Sequence, residues 1–231
     1  MQEIPKQFIN INGKPVITYT LNAFERHPDI DEIGVVCRSG WEEILKAFAE
    51  QAGIKKLKWI VPGGKNGQDS IRAGVEEAEC RYNDEDIILV HDAVRPMVGS
   101  DIISDCIVQC RRHGSAITVV PETTVMLKKT TSEYSKEVVD RATLARTQTP
   151  QAFPLRKLAW AHREAKARGI TNSTASCTLF IELGEKVYFS IGSETNIKLT
   201  TQGDMQIFKA LLALQNSEFA VEPFGRNSIN G

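Results

Sequence analysis

The chain has 231 residues, 42% of them hydrophobic and 25% charged, with a formal net charge of −1. That is enough chain to bury a full core, and the near-neutral balance excludes a broad nucleic-acid or membrane-binding surface, so an anionic ligand has to be held by a local cluster. There is no signal peptide and no apolar run long enough to span a bilayer. The five cysteines, at 37, 80, 106, 110 and 177, make neither a C-x-x-C pair nor a Cys/His metal spacing, which points to a reduced, cytoplasmic protein.

Taken in order, Ile4 to Phe8 is an irregular entry, and Gly13-Lys14-Pro15 opens a helix whose Ile17, Leu21 and Phe24 fall on one face. A strand is expected over Ile33 to Cys37, a helix over Trp41 to Gln51 with Ile44, Leu45 and Phe48 inward, and a short strand over Lys58 to Val61 broken by Pro62-Gly63-Gly64. The next helix spans Asp69 to Cys80. Gly63, Gly64 and Gly67 thus lie between a strand end and a helix start, where free backbone N–H groups and the helix dipole can hold a phosphate or ribose. A tight turn needing φ > 0 accounts for the same glycines.

Ile87 to Val90 is a continuous apolar run, read as a strand buried on both faces, and it breaks off into His91-Asp92-Ala93-Val94-Arg95-Pro96. An acid and an arginine stand where that strand meets water, the edge at which open α/β sheets bind ligands. A solvated loop in which Asp92 caps a turn explains the same residues. Ser100 can cap a helix to Arg112 closed by Gly114, with Cys106 and Cys110 four apart on its core face, and Ala116 to Val120 is a further buried strand. This alternation predicts an α/β fold, a Rossmann-like, mostly parallel sheet with helices on both faces.

Residues 121–147 depart from it. Two strand pieces, Val125 to Lys129 and Glu137 to Asp140, flank a polar link and read as a protruding β-hairpin arm, too poor in apolar residues to fold alone and so packed on something else, such as a second subunit. The chain re-enters the core through Thr147 to Phe153. Helices follow over Pro154 to Arg168 and Thr174 to Leu183, strands over Lys186 to Ser190 and Asn196 to Leu199, and a last helix over Gly203 to Leu214. We read 1–214 as one domain, and 215–231 as a polar tail expected to be poorly ordered.

Pro5-Lys6-Gln7-Phe8 with Gly13-Lys14-Pro15, Gly63-Gly64 with Asp69-Ser70, the His91 to Pro96 run, Asp140-Arg141, Gln148 to Phe153 and Asn196-Ile197-Lys198 occur in the order and approximate spacing of the polyol-phosphate cytidylyltransferases. The resemblance, to enzymes of isoprenoid and of wall-polymer synthesis, covers Met1 to about Leu214. It implies a nucleotidyltransferase fold, a homodimer with swapped arms, and the reaction of CTP with a polyol phosphate to give a CDP-polyol and pyrophosphate, with Mg²⁺. Lys6 then resembles the lysine that stabilises charge on the CTP phosphates, and Lys198 the one that orients the two phosphates. Asp92 is similar to a residue that contacts the polyol or the metal, and Arg95 to one that contacts its phosphate or hydroxyls. Gly63, Gly64, Ser70 and Ala93 look like the cradle of cytosine and ribose. Thr124, Arg141 and Thr149 look like polyol-phosphate contacts, Arg141 and Thr149 entering from the neighbouring subunit. Taken alone, Asp140-Arg141 could equally be a surface ion pair.

Three departures qualify the match. The family begins with a buried apolar strand and a glycine-rich loop ending in Arg-Met. This chain begins at Met1 within the last residues of that loop, and upstream codons are expected to encode the rest; a chain lacking them should be unstable, inactive or both. Gly67 stands where many members carry an arginine. The run Thr171-Asn172-Ser173-Thr174-Ala175-Ser176 lacks the carboxylates usual in methylerythritol-type enzymes, which makes ribitol 5-phosphate at least as plausible a substrate. A sugar 1-phosphate nucleotidyltransferase and a catalytically silent nucleotide-binding dimer are the competing readings.

Overall fold

The computed structural model describes residues 4–171 and 173–215. Asn172 and the polar tail beyond Gln215 lie outside the described residues. A 3₁₀ turn over Lys6–Phe8 leads into a small antiparallel ladder of β1 (Asn10–Ile11) and β2 (Lys14–Pro15), and α1 (Val16–Glu25) follows with Pro15 as its N-cap. The face predicted for α1 is the buried one: Ile17, Leu21 and Phe24 are all in the core.

β3 (Ile33–Cys37) and β4 (Leu57–Pro62) form a parallel pair, joined by α2 (Glu42–Gln51). The inward face of α2 is set by Leu45 and Ala49, one turn apart. Ile44 was expected inside, but it sits off that face and is 41% exposed. Next come α3 (Gly67–Glu79), β5 (Ile87–Val90), α4 (Ser100–His113) and β6 (Ala116–Pro121). Ser100 does not cap α4. Gly99 is the N-cap, its carbonyl accepting from the Ile103 N–H at 3.2 Å, while Gly114 closes the helix with φ 77°. Cys106 and Cys110 are buried against Ala116 and Ala152, a packing role for both.

β7 (Met126–Lys129) and β8 (Ser135–Val139) make the predicted hairpin, a separate two-stranded sheet with β7 wholly exposed. The chain then returns as β9 (Ala145–Pro154), which inserts between β5 and β6 and runs antiparallel to both. β5 and β6 are therefore parallel to one another across an opposed neighbour. The helices α5 (Leu155–Ala167) and α6 (Ser176–Glu182) precede β10 (Phe189–Ile191), parallel to β6, and α7 (Gln202–Gln215) ends the described chain. The larger sheet has the order β10-β6-β9-β5. β5 has no strand on its outer edge among the described residues, and its four residues are only partly buried, less than the sequence implied. Ile33 of β3 and Ile87 and Leu89 of β5 nevertheless pack on one cluster of Phe24, Ile30, Ile102 and Ile103, which joins the two sheets through side chains.

The main core lies on the other side, where the rings of Phe153 and Phe180 stack at 4.2 Å among Leu155, Leu158 and Leu179. Burying each such side chain stabilises the fold by roughly 1.5–3 kcal/mol. Asn196 to Leu199 is not a strand. Its backbone makes single contacts, Asn196 N–H to the Ser193 carbonyl and Leu199 N–H to the Val94 carbonyl, rather than a ladder. No helix among the described residues is long and apolar enough to cross a membrane.

Candidate active site

The turn after β5 is built around Asp92. Arg95 donates from Nε to Asp92 Oδ2 at 2.9 Å, and Lys198 donates from Nζ to Oδ1 at 2.9 Å. Arg95 continues from Nη1 to the Asn196 carbonyl at 2.8 Å, so a single guanidinium joins the β5 turn to the 192–198 loop. Burial works against the Asp92 carboxylate, but the Lys198 ammonium and the Arg95 guanidinium outweigh it and hold the carboxyl below its ordinary range. Two cations on one carboxylate leave the cluster net positive, and Lys198 is the more exposed of the two.

Lys6 reaches the same segment from the other end of the chain, donating from Nζ to the Thr200 carbonyl at 2.5 Å. Thr200 is itself tied down, since the Asp204 carboxylate accepts from Thr200 N–H, Thr201 N–H and the Thr200 hydroxyl at 2.7–2.9 Å. These donors pull the Asp204 carboxyl down to about 2. The structure thus brings Asp92, Arg95, Lys198 and Lys6 together along one loop.

Thr149 stands in the same place. Its Oγ1 accepts from the Asp92 N–H at 3.0 Å and lies 3.1 Å from His91 Nδ1, all within one chain. The resemblance had implied that Thr149 enters from a neighbouring subunit; the pairing of β9 with β5 puts it beside Asp92 of its own chain instead. Ala93 is held by Thr20, whose hydroxyl donates to the Ala93 carbonyl at 2.9 Å, and its side chain packs on the cluster that contains Cys37 at the end of β3.

Gly63 and Gly64 follow β4. The Gly63 N–H bonds the Cys37 carbonyl at 2.7 Å, and the Gly64 N–H bonds the Ser70 hydroxyl at 3.1 Å. Asn66 caps α3 through the Asp69 N–H at 2.8 Å, so the helix starts at Gly67, two residues earlier than periodicity suggested. A Cβ on Gly64 would come within 2.3 Å of Asp69 Cβ, so this position is glycine because the loop folds back on its own helix. The positive end of α3 is therefore directed at a compact loop.

Arg141 and Thr124 lie elsewhere, at the root of the hairpin, where the Thr124 N–H donates to Glu122 Oε1 at 2.8 Å. Arg141 Nη1 donates to the Thr123 carbonyl at 2.6 Å, and Asp140 caps the following 3₁₀ turn through the Ala142 N–H at 3.0 Å instead of pairing with Arg141. Among the described residues no hydrogen bond or ion pair links either of them to Asp92, Lys6 or Lys198 of the same chain.

Gln148 and Asn196 belong to the matched motifs, and their role is visible only in the fold. Gln148 donates from Nε2 to the Ser193 carbonyl at 2.8 Å, and Asn196 donates from Nδ2 to the Thr149 carbonyl at 2.9 Å and to Gln148 Oε1 at 3.2 Å. Together they latch the loop carrying Lys198 onto β9. Among the described residues there is no group of three His, Cys, Asp or Glu side chains able to hold a metal ion. Asp92 is the one carboxylate within the cluster, and each of its oxygens already accepts from a cation, so these residues form no protein cage for a divalent ion.

Residues 1–214 match the family model described as IspD: 2-C-methyl-D-erythritol 4-phosphate cytidylyltransferase. A ribitol-5-phosphate cytidylyltransferase of Lacticaseibacillus paracasei is 41% identical over 212 residues, covering 91% of each chain. A 2-C-methyl-D-erythritol 4-phosphate cytidylyltransferase of Clostridium perfringens is 38% identical over 205 residues, 88% of each. The crystal structure of 4-diphosphocytidyl-2C-methyl-D-erythritol synthase from Anaerococcus prevotii superposes with a TM-score of 0.80 at 25% identity, covering 90% of each chain. Together with the basic cluster on Asp92, these matches establish that the chain belongs to the 2-C-methyl-D-erythritol 4-phosphate cytidylyltransferase family and is a nucleotidyltransferase enzyme.

Proposed function

We propose that the protein makes CDP-ribitol and pyrophosphate from CTP and ribitol 5-phosphate, in the cytoplasm. The observation that carries the reading is the meeting of Lys198 and Arg95 on Asp92, with Lys6 held on the Thr200 carbonyl two residues beyond Lys198. A phosphate oxygen of the polyol attacks the α-phosphorus of CTP, the new P–O bond forms as the bond to pyrophosphate breaks, and both reactants are anions. Catalysis is then mainly positioning and charge neutralisation. A lysine ~4 Å from a phosphate charge contributes about 4 kcal/mol at an effective dielectric near 20, so the exposed ammonium groups of Lys6 and Lys198 matter more than the net charge of the chain.

The role of Asp92 is to keep Lys198 and Arg95 fixed and apart. Gly63, Gly64, Ser70 and Ala93 hold the cytidine end, the loop supplying backbone groups in place of long side chains. Asp92 is the one carboxylate of the cluster that could approach a divalent cation carried in by CTP, which would supply charge neutralisation on the triphosphate. Arg141 and Thr124 reach the acceptor phosphate from a second copy of the chain, whose hairpin brings them across. The hairpin exposes Val125, Leu127 and Val138 at 57–69%, apolar surface that a partner subunit would cover.

Ribitol is favoured over methylerythritol by two observations. Several relatives at 37–41% identity are ribitol-5-phosphate cytidylyltransferases. The 171–176 run carries no acid; its Ser173 N–H is bound by Gln68 Oε1 at 3.0 Å, and its hydroxyl pairs with Thr178 at 2.8 Å. The deciding experiment supplies CTP with a panel of polyol phosphates and identifies the product by mass spectrometry. CDP-ribitol formed faster than any other product is expected; turnover confined to methylerythritol phosphate, or independent of CTP, overturns the reading.

A further inference from the structure

We propose that His91 is a positioning residue that sets Asp92 through the hydroxyl of Thr149, and that Thr149 therefore donates its proton to His91 and not to a substrate phosphate. The inference rests on the reading of Asp92 as part of the active site, and it follows from counting protons.

His91 Nε2 lies 3.2 Å from the Arg95 carbonyl oxygen. A carbonyl can only accept, so Nε2 carries the proton and the neutral ring presents Nδ1 as an acceptor. Nδ1 is 3.1 Å from Thr149 Oγ1, which must then donate its single proton to it. The same Oγ1 accepts from the Asp92 N–H at 3.0 Å. The direction of the chain is thereby fixed: Asp92 N–H to Thr149, Thr149 O–H to His91, His91 N–H to Arg95. The Arg95 N–H returns to the Asp92 carbonyl at 3.0 Å, so the relay closes on the turn that carries both charged side chains.

With its proton committed, Thr149 has none left to donate to a phosphate, which is the contact an anion requires. The imidazole packs edge-to-face with Phe24, at 4.9 Å between centroids. Asp92 receives in this way an oriented backbone, while Lys198 and Arg95 hold its side chain.

The test is a double-mutant cycle on the full chain. His91→Phe keeps the packing on Phe24 and removes both nitrogens, and Thr149→Val keeps the shape and removes the hydroxyl. Each is expected to lower kcat by about tenfold with both KM values within about twofold, and the double variant to be no worse than either single one, because one relay is cut once. His91→Asn, which places an oxygen near the position of Nδ1, is expected to recover most of the loss. Losses that multiply overturn the proposal, as does a Thr149→Val variant that raises the polyol-phosphate KM while His91→Phe leaves it unchanged. Asp92→Asn run in parallel separates the two levels. If it is silent, the reading of the site fails and the relay with it; if it abolishes turnover while the cycle is additive, only the relay fails.

Discussion

Lys198 and Asp92 are 106 residues apart in sequence and meet at 2.9 Å, Nζ to Oδ1. The pair has a consequence for charge. Lys198→Ala removes one of the two groups that hold Asp92 ionised and, on the proposed reading, a cation from the reacting phosphates. Turnover is expected to fall by ~10²-fold or more, with a smaller rise in KM. Lys198→Arg should recover only part of it, since a planar fork does not replace a point charge. Steady-state kinetics with CTP and ribitol 5-phosphate checks this, and unchanged turnover in Lys198→Ala removes the assigned role.

Lys6 is anchored by a carbonyl rather than a carboxylate, so Lys6→Ala leaves Asp92 untouched. Turnover should again drop by ~10²-fold, while thermal unfolding stays within a degree or two of the parent. A drop in stability as large as the drop in rate would show that Lys6 is structural.

The glycine loop yields a prediction about nucleotide affinity. Gly64→Ala places a Cβ 2.3 Å from Asp69 Cβ and must move the loop or the first turn of α3. The KM for CTP should rise by about tenfold or more while the KM for the acceptor holds. Equal effects on both substrates would place the loop outside the nucleotide site.

Arg141 provides a test of assembly. If it serves the partner's site, a mixture of inactive Lys198→Ala and inactive Arg141→Ala chains regains activity, because mixed dimers contain one site free of both substitutions. Recovery to roughly a quarter of the parent rate is expected after subunit exchange. No recovery, in dimers confirmed by light scattering, means that Arg141 works within its own chain. Val138→Glu on the exposed hairpin should shift the mass toward monomer and lower activity with it.

His162 on α5 is buried, and neither ring nitrogen has a protein partner. Burial, with a smaller push from Arg72, lowers it to about 4, and His91 is lowered to about 4 as well. With both folded values below the ordinary 6.5, the unfolded chain takes up protons first, so stability is complete above about 6.5 and is lost as pH falls toward 4. His162→Leu should raise stability at pH 7 by roughly 1–2 kcal/mol and remove about half of the slope between pH 6.5 and 4. Urea unfolding at pH 7 and pH 5 measures both; a steeper slope in the variant would contradict the assignment.

Much of the fold was legible from periodicity. Ile17, Leu21 and Phe24 marked the buried face of α1 because a helix repeats every 3.6 residues, and all three are in the core. The course of β9 was not legible: Thr147 to Phe153 reads as a return to the core with no strand assigned, and only pairing with strands on both sides makes that stretch the middle of a sheet. Asn196 to Leu199 failed the opposite way, an apolar alternation held by isolated backbone bonds and the side-chain bonds of Asn196 in place of a ladder. Asp92 and Lys198 could be chosen from their motifs. The links of Gln148 to Ser193 and of Thr149 to His91 span 45 and 58 residues through side chains, which no local pattern encodes.

β9 has a spatial consequence. One continuous ribbon, Ala145–Pro154, leaves the foot of the hairpin at its first residue and presents Thr149 to Asp92 half-way along. Its later residues pair with β5, the strand that ends at Asp92, and its earlier ones with the end of β6 that leads into the hairpin, with a register shift between the two. The root of the hairpin and the seat of Asp92 are thus neighbours along one strand.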